Sequence, residues 1–261
     1  MYSLRKAANI TLSVWNALFL REALTRLFSA RGKWFWLFFE PVFHISYIMF
    51  LFSVIRVRSV GGFDTAIWVM VGMLGFFMFK RTGTQVSNGI SANQALFAYR
   101  QVKPVDTLLV RGVLEGMLMV IVAVILFAIT ALLGYAVIPD DALMLLGAFW
   151  GLWLLGMGYG LFLSVVTELL PDLKTIMQLI MMPMYIISGV IFPLASVPLP
   201  YRDWLMLNPV AHGLEAVRLG FESTYHTVPG LSMSYVFGFA LVSIFLGLAL
   251  HYRYAIKLVT Q

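Results

Sequence analysis

The sequence predicts an all-α membrane protein with about six transmembrane helices. Three observations point there: 61% of the 261 residues are apolar and 11% charged, the mean hydropathy is +0.90, and long apolar runs alternate with short polar connections. A spanning helix needs about 20 apolar residues, so residues 1–261 read as a single transmembrane domain with no sizeable soluble part.

The first element is expected outside the bilayer core. Arg5 and Lys6 precede the apolar stretch Ile10 to Leu20 in the manner of a signal peptide, but the stretch runs into Arg21 and Glu22 without a small-residue cleavage site, so it is expected to be retained. Over residues 9–30, Ala17, Leu20, Leu24, Leu27 and Phe28 share one helical face, and Arg21, Glu22, Thr25 and Arg26 share the other. Such an amphipathic helix lies along the membrane surface. Spans follow at 34–55, 64–80, 107–133, 143–167, 174–192 and 232–250. Gly112 with Gly116, Gly147 with Gly151, and Gly156 with Gly160 are small-xxx-small pairs that let helices approach closely, expected within the chain rather than at a dimer seam.

An even number of spans puts both termini on one side. Of the 18 basic residues, 14 fall on the terminal side and only Arg56, Arg58, Arg202 and Arg218 opposite, so the termini are expected in the cytoplasm. The same bias explains the net charge of +6 without an anionic partner, so charge alone identifies no ligand. Two connections exceed simple turns: a cytoplasmic loop at 81–106 and an outer segment at 193–231. The outer segment is apolar but interrupted by Pro193, Pro198, Pro200 and Pro209, which suggests a re-entrant helical hairpin.

Absences remove most enzymes. With no cysteine there is no disulfide, thiolate nucleophile or cysteine-bound metal. Gly32-Lys33 lacks the upstream glycine spacing of a phosphate loop, so any ATP is hydrolysed by a partner. HExxH is absent, and His212 with Glu215 reads as a structural hydrogen-bonding pair on a helix face that Arg218 continues. Asp140-Asp141, beside Pro139, reads as a solvated turn rather than a catalytic carboxylate pair.

Glu40, Pro41 and His44 sit in the first span, where ionisable groups must face protein or water. They either line a polar path, or Glu40 pairs near the headgroups while Pro41 kinks the helix. Trp34, Phe35, Trp36, Phe38, Phe39 and Phe43 crowd the start of that span. They read as an interfacial belt or as a platform for sugar rings, with Trp36, Phe39 and Phe43 the pathway candidates by helical spacing. Arg31 and Lys33, at its cytoplasmic mouth, suit a phosphate-bearing acidic substrate or plain anchoring. Residues 94–103 are expected to form a short helix with Leu96, Tyr99 and Lys103 on one face, beside Arg100, fit for a groove of a soluble partner or for lipid.

Three segments resemble the permeases of type-2 ABC exporters, and among them the capsular polysaccharide export permeases (KpsM type), relatives of O-antigen exporters. They are Arg21 to Arg26 with Gly32 to Pro41, Ser188 to Pro193, and Asn208 to Arg218. The resemblance implies no enzyme in this chain but a homodimer in the bacterial inner membrane with two ATP-binding cassette subunits, which hold ATP and Mg. The dimer would export a lipid-linked acidic capsular polysaccharide, O-antigen or another lipid-linked glycan being the alternative. Periplasmic and outer-membrane export proteins would follow, and no nucleic acid. The coupling helix would fall on residues 94–103, centred on Leu96, Tyr99, Arg100 and Lys103. The outer re-entrant segment would be marked by Pro193, Arg202, Trp204, Asn208, Pro209, His212, Glu215 and Arg218. A membrane glycan or lipid transferase and a passive channel are the rival classes.

Overall fold

The computed structural model describes residues 2–28, 31–55, 59–60, 62–99 and 101–260. Ten α-helices are found among them: α1 (Tyr2–Phe28), α2 (Lys33–Ile55), α3 (Thr65–Ser87), α4 (Pro104–Leu132), α5 (Ala142–Leu169), α6 (Leu173–Ile187), α7 (Tyr201–Leu205), α8 (Pro209–Phe221), α9 (Met233–Arg253) and α10 (Ala255–Thr260). A two-residue hairpin, β1 (Ser59–Val60) with β2 (Phe63–Asp64), joins α2 to α3. Helices α2, α4, α5 and α9 are long and apolar enough to cross a membrane. The fold is therefore a nearly all-α membrane bundle.

Helix α3 is its axis. Thr65 to Phe76 are all buried, and Trp68, Val69, Met70 and Val71 are fully so. Asp64 starts the helix by accepting from the amides of Ala66 and Ile67. Helix α5 packs between α3 and α9, and the approach needs glycine. A Cβ on Gly156 would stand 2.6 Å from the Phe79 carbonyl oxygen, and one on Gly160 2.8 Å from that of Gly83. Gly112, Gly116 and Gly151 likewise meet Met157, Trp153 and Val236, whereas Gly147 faces open space. The small-residue pairs thus serve contacts inside the chain, Gly147 excepted.

Several boundaries differ from expectation. The surface helix was expected over 9–30 and runs from Tyr2 to Phe28. Its apolar face is exposed as expected, with Leu20, Leu24 and Phe28 at 55, 57 and 68%. Its polar face is divided: Glu22 and Arg26 are buried against the bundle, while Arg21 and Thr25 are exposed. Helix α3 continues through Ser87, so the loop expected to begin at 81 starts seven residues later. Helix α6 stops at Ile187 rather than 192, because Gly189 takes φ +72°, a left-handed turn that ends a helix without a Cβ clash. Asp140 and Asp141 are exposed but bonded: Asp140 accepts from the amide and hydroxyl of Ser223, which lower its pKa, and Asp141 caps α5 at Met144.

Candidate functional site

Helix α2 presents a row of aromatic rings. Phe35, Phe39, Phe43 and Tyr47 recur every four residues, so their rings lie above one another on one face. Successive centroids are 4.9, 5.4 and 6.3 Å apart with interplanar angles of 19, 19 and 15°. All four rings are exposed. Trp36 meets Phe39 edge-on at 5.5 Å. Such a row of exposed rings lines one face of the helix with continuous apolar aromatic surface.

One face further round α2, Glu40 and His44 open onto a cavity of about 340 Å³ whose other wall is Phe77, Lys80, Arg81, Thr84 and Gln85 of α3. Past His44, Phe77, Lys80 and Thr84 it continues into a second cavity of about 370 Å³ walled by Gln178, Met181 and Tyr185 of α6. Lys80 and Glu40 are both exposed and have no ion-pair partner among the described residues.

Arg81 is fixed from behind. Its Nε donates to Glu115 Oε1 at 2.6 Å, and Arg26 Nη1 donates to Oε2 of the same carboxylate at 2.6 Å. Arg26 also donates to Glu22 at 3.1 Å and to Gln85 at 3.0 Å, and Arg111 donates to Glu22 at 2.6 Å. Three guanidinium groups share two carboxylates, so the network keeps a net positive charge at the rim of the cavity. Burial raises the Glu22 pKa, but Arg111 and Arg26 outweigh it and hold the carboxyl below its ordinary value.

The loop between α3 and α4 corrects a second expectation. Its helical turn is a 3₁₀ segment over Ser91–Ala98, ending before Tyr99 instead of covering 94–103. Lys103 already belongs to the start of α4, where its amide donates to Asp106 at 3.1 Å. Leu96, Tyr99 and Lys103 therefore do not share one helical face. Leu96 is half-buried, Phe97 is buried and Tyr99 is 66% exposed, while Arg100 lies outside the described residues. Tyr99 and Lys103 line a cavity of about 680 Å³ closed on its other side by Tyr252, Ala255 and Val259. Arg21 ties this segment to α1 by donating to Asn93 at 2.8 Å.

At the far end of the bundle, α8 brings Glu215 and Arg218 together, both fully buried, at 3.0 Å. His212 does not join them: its Nε2 bonds the Met206 carbonyl at 2.7 Å and its Nδ1 accepts from the Ser232 amide at 3.1 Å. Asn208 caps α8 at Val210, with Pro209 in its first turn. Pro193 precedes the short 3₁₀ turn Leu194–Ser196; Arg202 and Trp204 lie on α7, where Trp204 is exposed against Tyr201.

Of the pathway candidates, Glu40 and His44 line the cavity, and Trp36, Phe39 and Phe43 belong to the aromatic row. Arg31 and Lys33 are exposed at the start of α2 and line neither cavity. Sequence reasoning named Phe35 in the aromatic run but not as a pathway candidate, and missed Tyr47, although their i, i+4 spacing was visible. It also counted Lys80 and Arg81 only as topology markers; the pair closing an apolar helix was the available signal.

The ABC-2 type transporter family matches residues 13–221. The polysialic acid transport protein KpsM of Escherichia coli is 34% identical over 236 residues, 90% of this chain and 91% of that one. The capsule polysaccharide export inner-membrane protein BexB of Haemophilus influenzae is 27% identical over 85% of each chain. CtrC of Neisseria meningitidis serogroup A, of the same description, is 26% identical over 80% of this chain and 78% of its own. A cationic cavity beside an aromatic ribbon in a helical membrane bundle, and a match along four fifths of the sequence, lead to one conclusion: the chain belongs to the ABC-2 type transporter family.

Proposed function

We propose that this chain is the multi-pass permease subunit of an ATP-driven exporter that moves a lipid-linked acidic capsular polysaccharide outward across the bacterial inner membrane. The observation that carries this is the stacked row Phe35, Phe39, Phe43, Tyr47 beside the cavity holding Lys80 and Arg81. The exposed rings offer repeated apolar contact for sugars, and the cations offer attraction for carboxylate or phosphate. A row of many weak apolar contacts lets a polymer slide, because leaving one ring coincides with reaching the next.

The site is open on one side, since the faces of α2 and α6 that flank it are exposed among the described residues. A second copy of this chain would close it into a path. Six spans are read from the apolar runs and cytoplasmic termini from the charge count, with α8 as the buried limb of the outer re-entrant segment; its 13 residues reach about 20 Å, short of a bilayer. The ATP-binding subunits would dock at Tyr99, Lys103 and the neighbouring 680 Å³ cavity. Arg31 and Lys33 would gather the anionic lipid end at the mouth of the path, and periplasmic and outer-membrane proteins would receive the polymer.

Replacing Lys80→Gln together with Phe39→Ala and Phe43→Ala tests the reading. Insertion and expression are expected to persist while polymer accumulates inside the cell. Surface polymer at the parental level in that variant would refute the path.

A further inference from the structure

The two segments Ser188 to Pro193 and Asn208 to Arg218, distant in sequence, meet at one point, the far end of α6. Ser188, fully buried, donates its hydroxyl to the Met184 carbonyl at 2.6 Å and accepts from Asn208 Nδ2 at 2.8 Å. Arg218 Nη2 donates to the carbonyls of Gly189 at 2.9 Å and Val190 at 3.0 Å. These carbonyls belong to the turn that ends α6, where partial negative charge collects.

Arg218 is itself held through both terminal nitrogens and one face of its plane. Its guanidinium lies 3.7 Å from the Trp68 ring centroid and its Nη1 donates to Glu215 at 3.0 Å, while Tyr225 donates to the same carboxylate oxygen at 3.2 Å. Room for it exists because residue 72 is glycine: a Cβ there would stand 2.5 Å from Nη2. Only a planar guanidinium can reach two carbonyls and a carboxylate while stacked on an indole. A lysine ammonium has neither the plane nor the span.

Along the rest of α6, a single copy of the chain supplies little cover. Met181 is its one buried residue among those described. Half-open clefts of about 370 Å³ on its α2 and α3 side and about 400 Å³ on its α5 and α9 side flank it and leave it room to move. A helix pinned at one end with open space on two sides moves more with distance from the pin. From Gly189 to Gln178 the lever is about 16 Å, so a tilt of about 10° displaces Gln178 by about 3 Å.

We propose that Arg218 is a positioning residue for transport: it fixes the far end of α6 as a pivot, so that α6 swings as one wall of the cavity lined by His44, Lys80 and Gln178. This rests on the exporter reading above. The network costs a buried cation and a buried carboxylate to maintain, and the pivot gives it a use beyond packing.

The chain has no cysteine, so labels can be placed without a background. Thr84→Cys with Gln178→Cys spans the cavity from α3 to α6. Ser87→Cys with Thr167→Cys spans α3 to α5 as a control. Spin-label distances are measured on the full chain in nanodiscs with its ATP-binding subunit, before and after ATP. With Arg218 present, the Thr84–Gln178 pair is expected to give one distribution that shifts with ATP. Arg218→Lys is expected to broaden that pair with or without ATP, to leave the control pair sharp, and to lower surface polymer about tenfold, the equivalent of one charged hydrogen bond. Should Arg218→Lys not fold, Ser188→Ala with Asn208→Ala removes the neighbouring tie without touching the buried cation, and the same selective broadening is expected. Unchanged distances, or equal broadening of both pairs, overturns the pivot. If instead the labels respond as expected but deleting the parent chain leaves surface polymer intact, the exporter reading fails and the pivot stands.

Discussion

Glu115 illustrates how a single carboxylate organises the basic end of the bundle. It is fully buried on α4 and takes one short bond from Arg26 of α1 and one from Arg81 of α3. Removing it leaves two guanidinium groups facing each other in a desolvated site, which is worse than never having built the pair. Glu115→Ala is expected to destabilise the chain by about 3–5 kcal/mol, and Glu115→Gln by less because the amide oxygen still accepts. Thermal unfolding of the purified protein in detergent would show it, and equal midpoints for parent and Glu115→Ala would contradict the assigned role. Glu115 drew no notice in the sequence. A lone acidic residue in a long apolar run says that a partner exists, but not which of the basic residues, 89 positions away for Arg26, supplies it.

At the scale of elements, α1 is held to the bundle by its charges rather than by its apolar face. Since the Glu22 pKa is depressed by Arg111 and Arg26, their pairing stabilises docking fully above the ordinary value of 4.5 and is lost as pH falls through the lower folded value. Pepsin cleavage between Trp15 and Phe28 is therefore expected to be slow at about pH 5 and to accelerate below 4.5, whereas Glu22→Gln is already cleaved at about pH 5. A parent and a variant with the same acid profile would count against charge-held docking. The loop between α3 and α4 separates two roles that its sequence blends. Tyr99→Asp is expected to lose the ATP-binding subunit on co-purification with the permease midpoint unchanged, because Tyr99 is exposed. Phe97→Asp is expected to lower that midpoint by about 3 kcal/mol of stability or more, because it places a charge in a packed cluster.

Across the whole molecule, close packing at α3, α5 and α9 contrasts with the open flank formed by α2 and α6. The rigid part is built on glycine contacts that no side chain can enter. The open part is lined by aromatic, cationic and amide groups, and is where a second copy would sit. Ile180→Cys, on the exposed face of α6, is expected to form disulfide-linked dimers in native membranes upon mild oxidation. Val242→Cys, exposed on α9 on the other side of the rigid part, is not. Equal cross-linking at both positions would deny the α6 face a partner.

Composition and apolar runs determined, without coordinates, that the chain is a helical membrane bundle, because burying backbone in lipid leaves few alternatives to the helix. They also located the polar interruptions at Glu40 and His44 and the family segments at Ser188 to Pro193 and Asn208 to Arg218. The pairings were decided only by the tertiary structure: Arg26 and Arg81 on Glu115, Arg218 on Trp68 and the end of α6, and Lys80 on a cavity shared with α2. Periodicity reports which face of one helix is polar. It carries no information on which other helix that face meets, since that depends on crossings set by close contacts such as those of Gly72, Gly156 and Gly160.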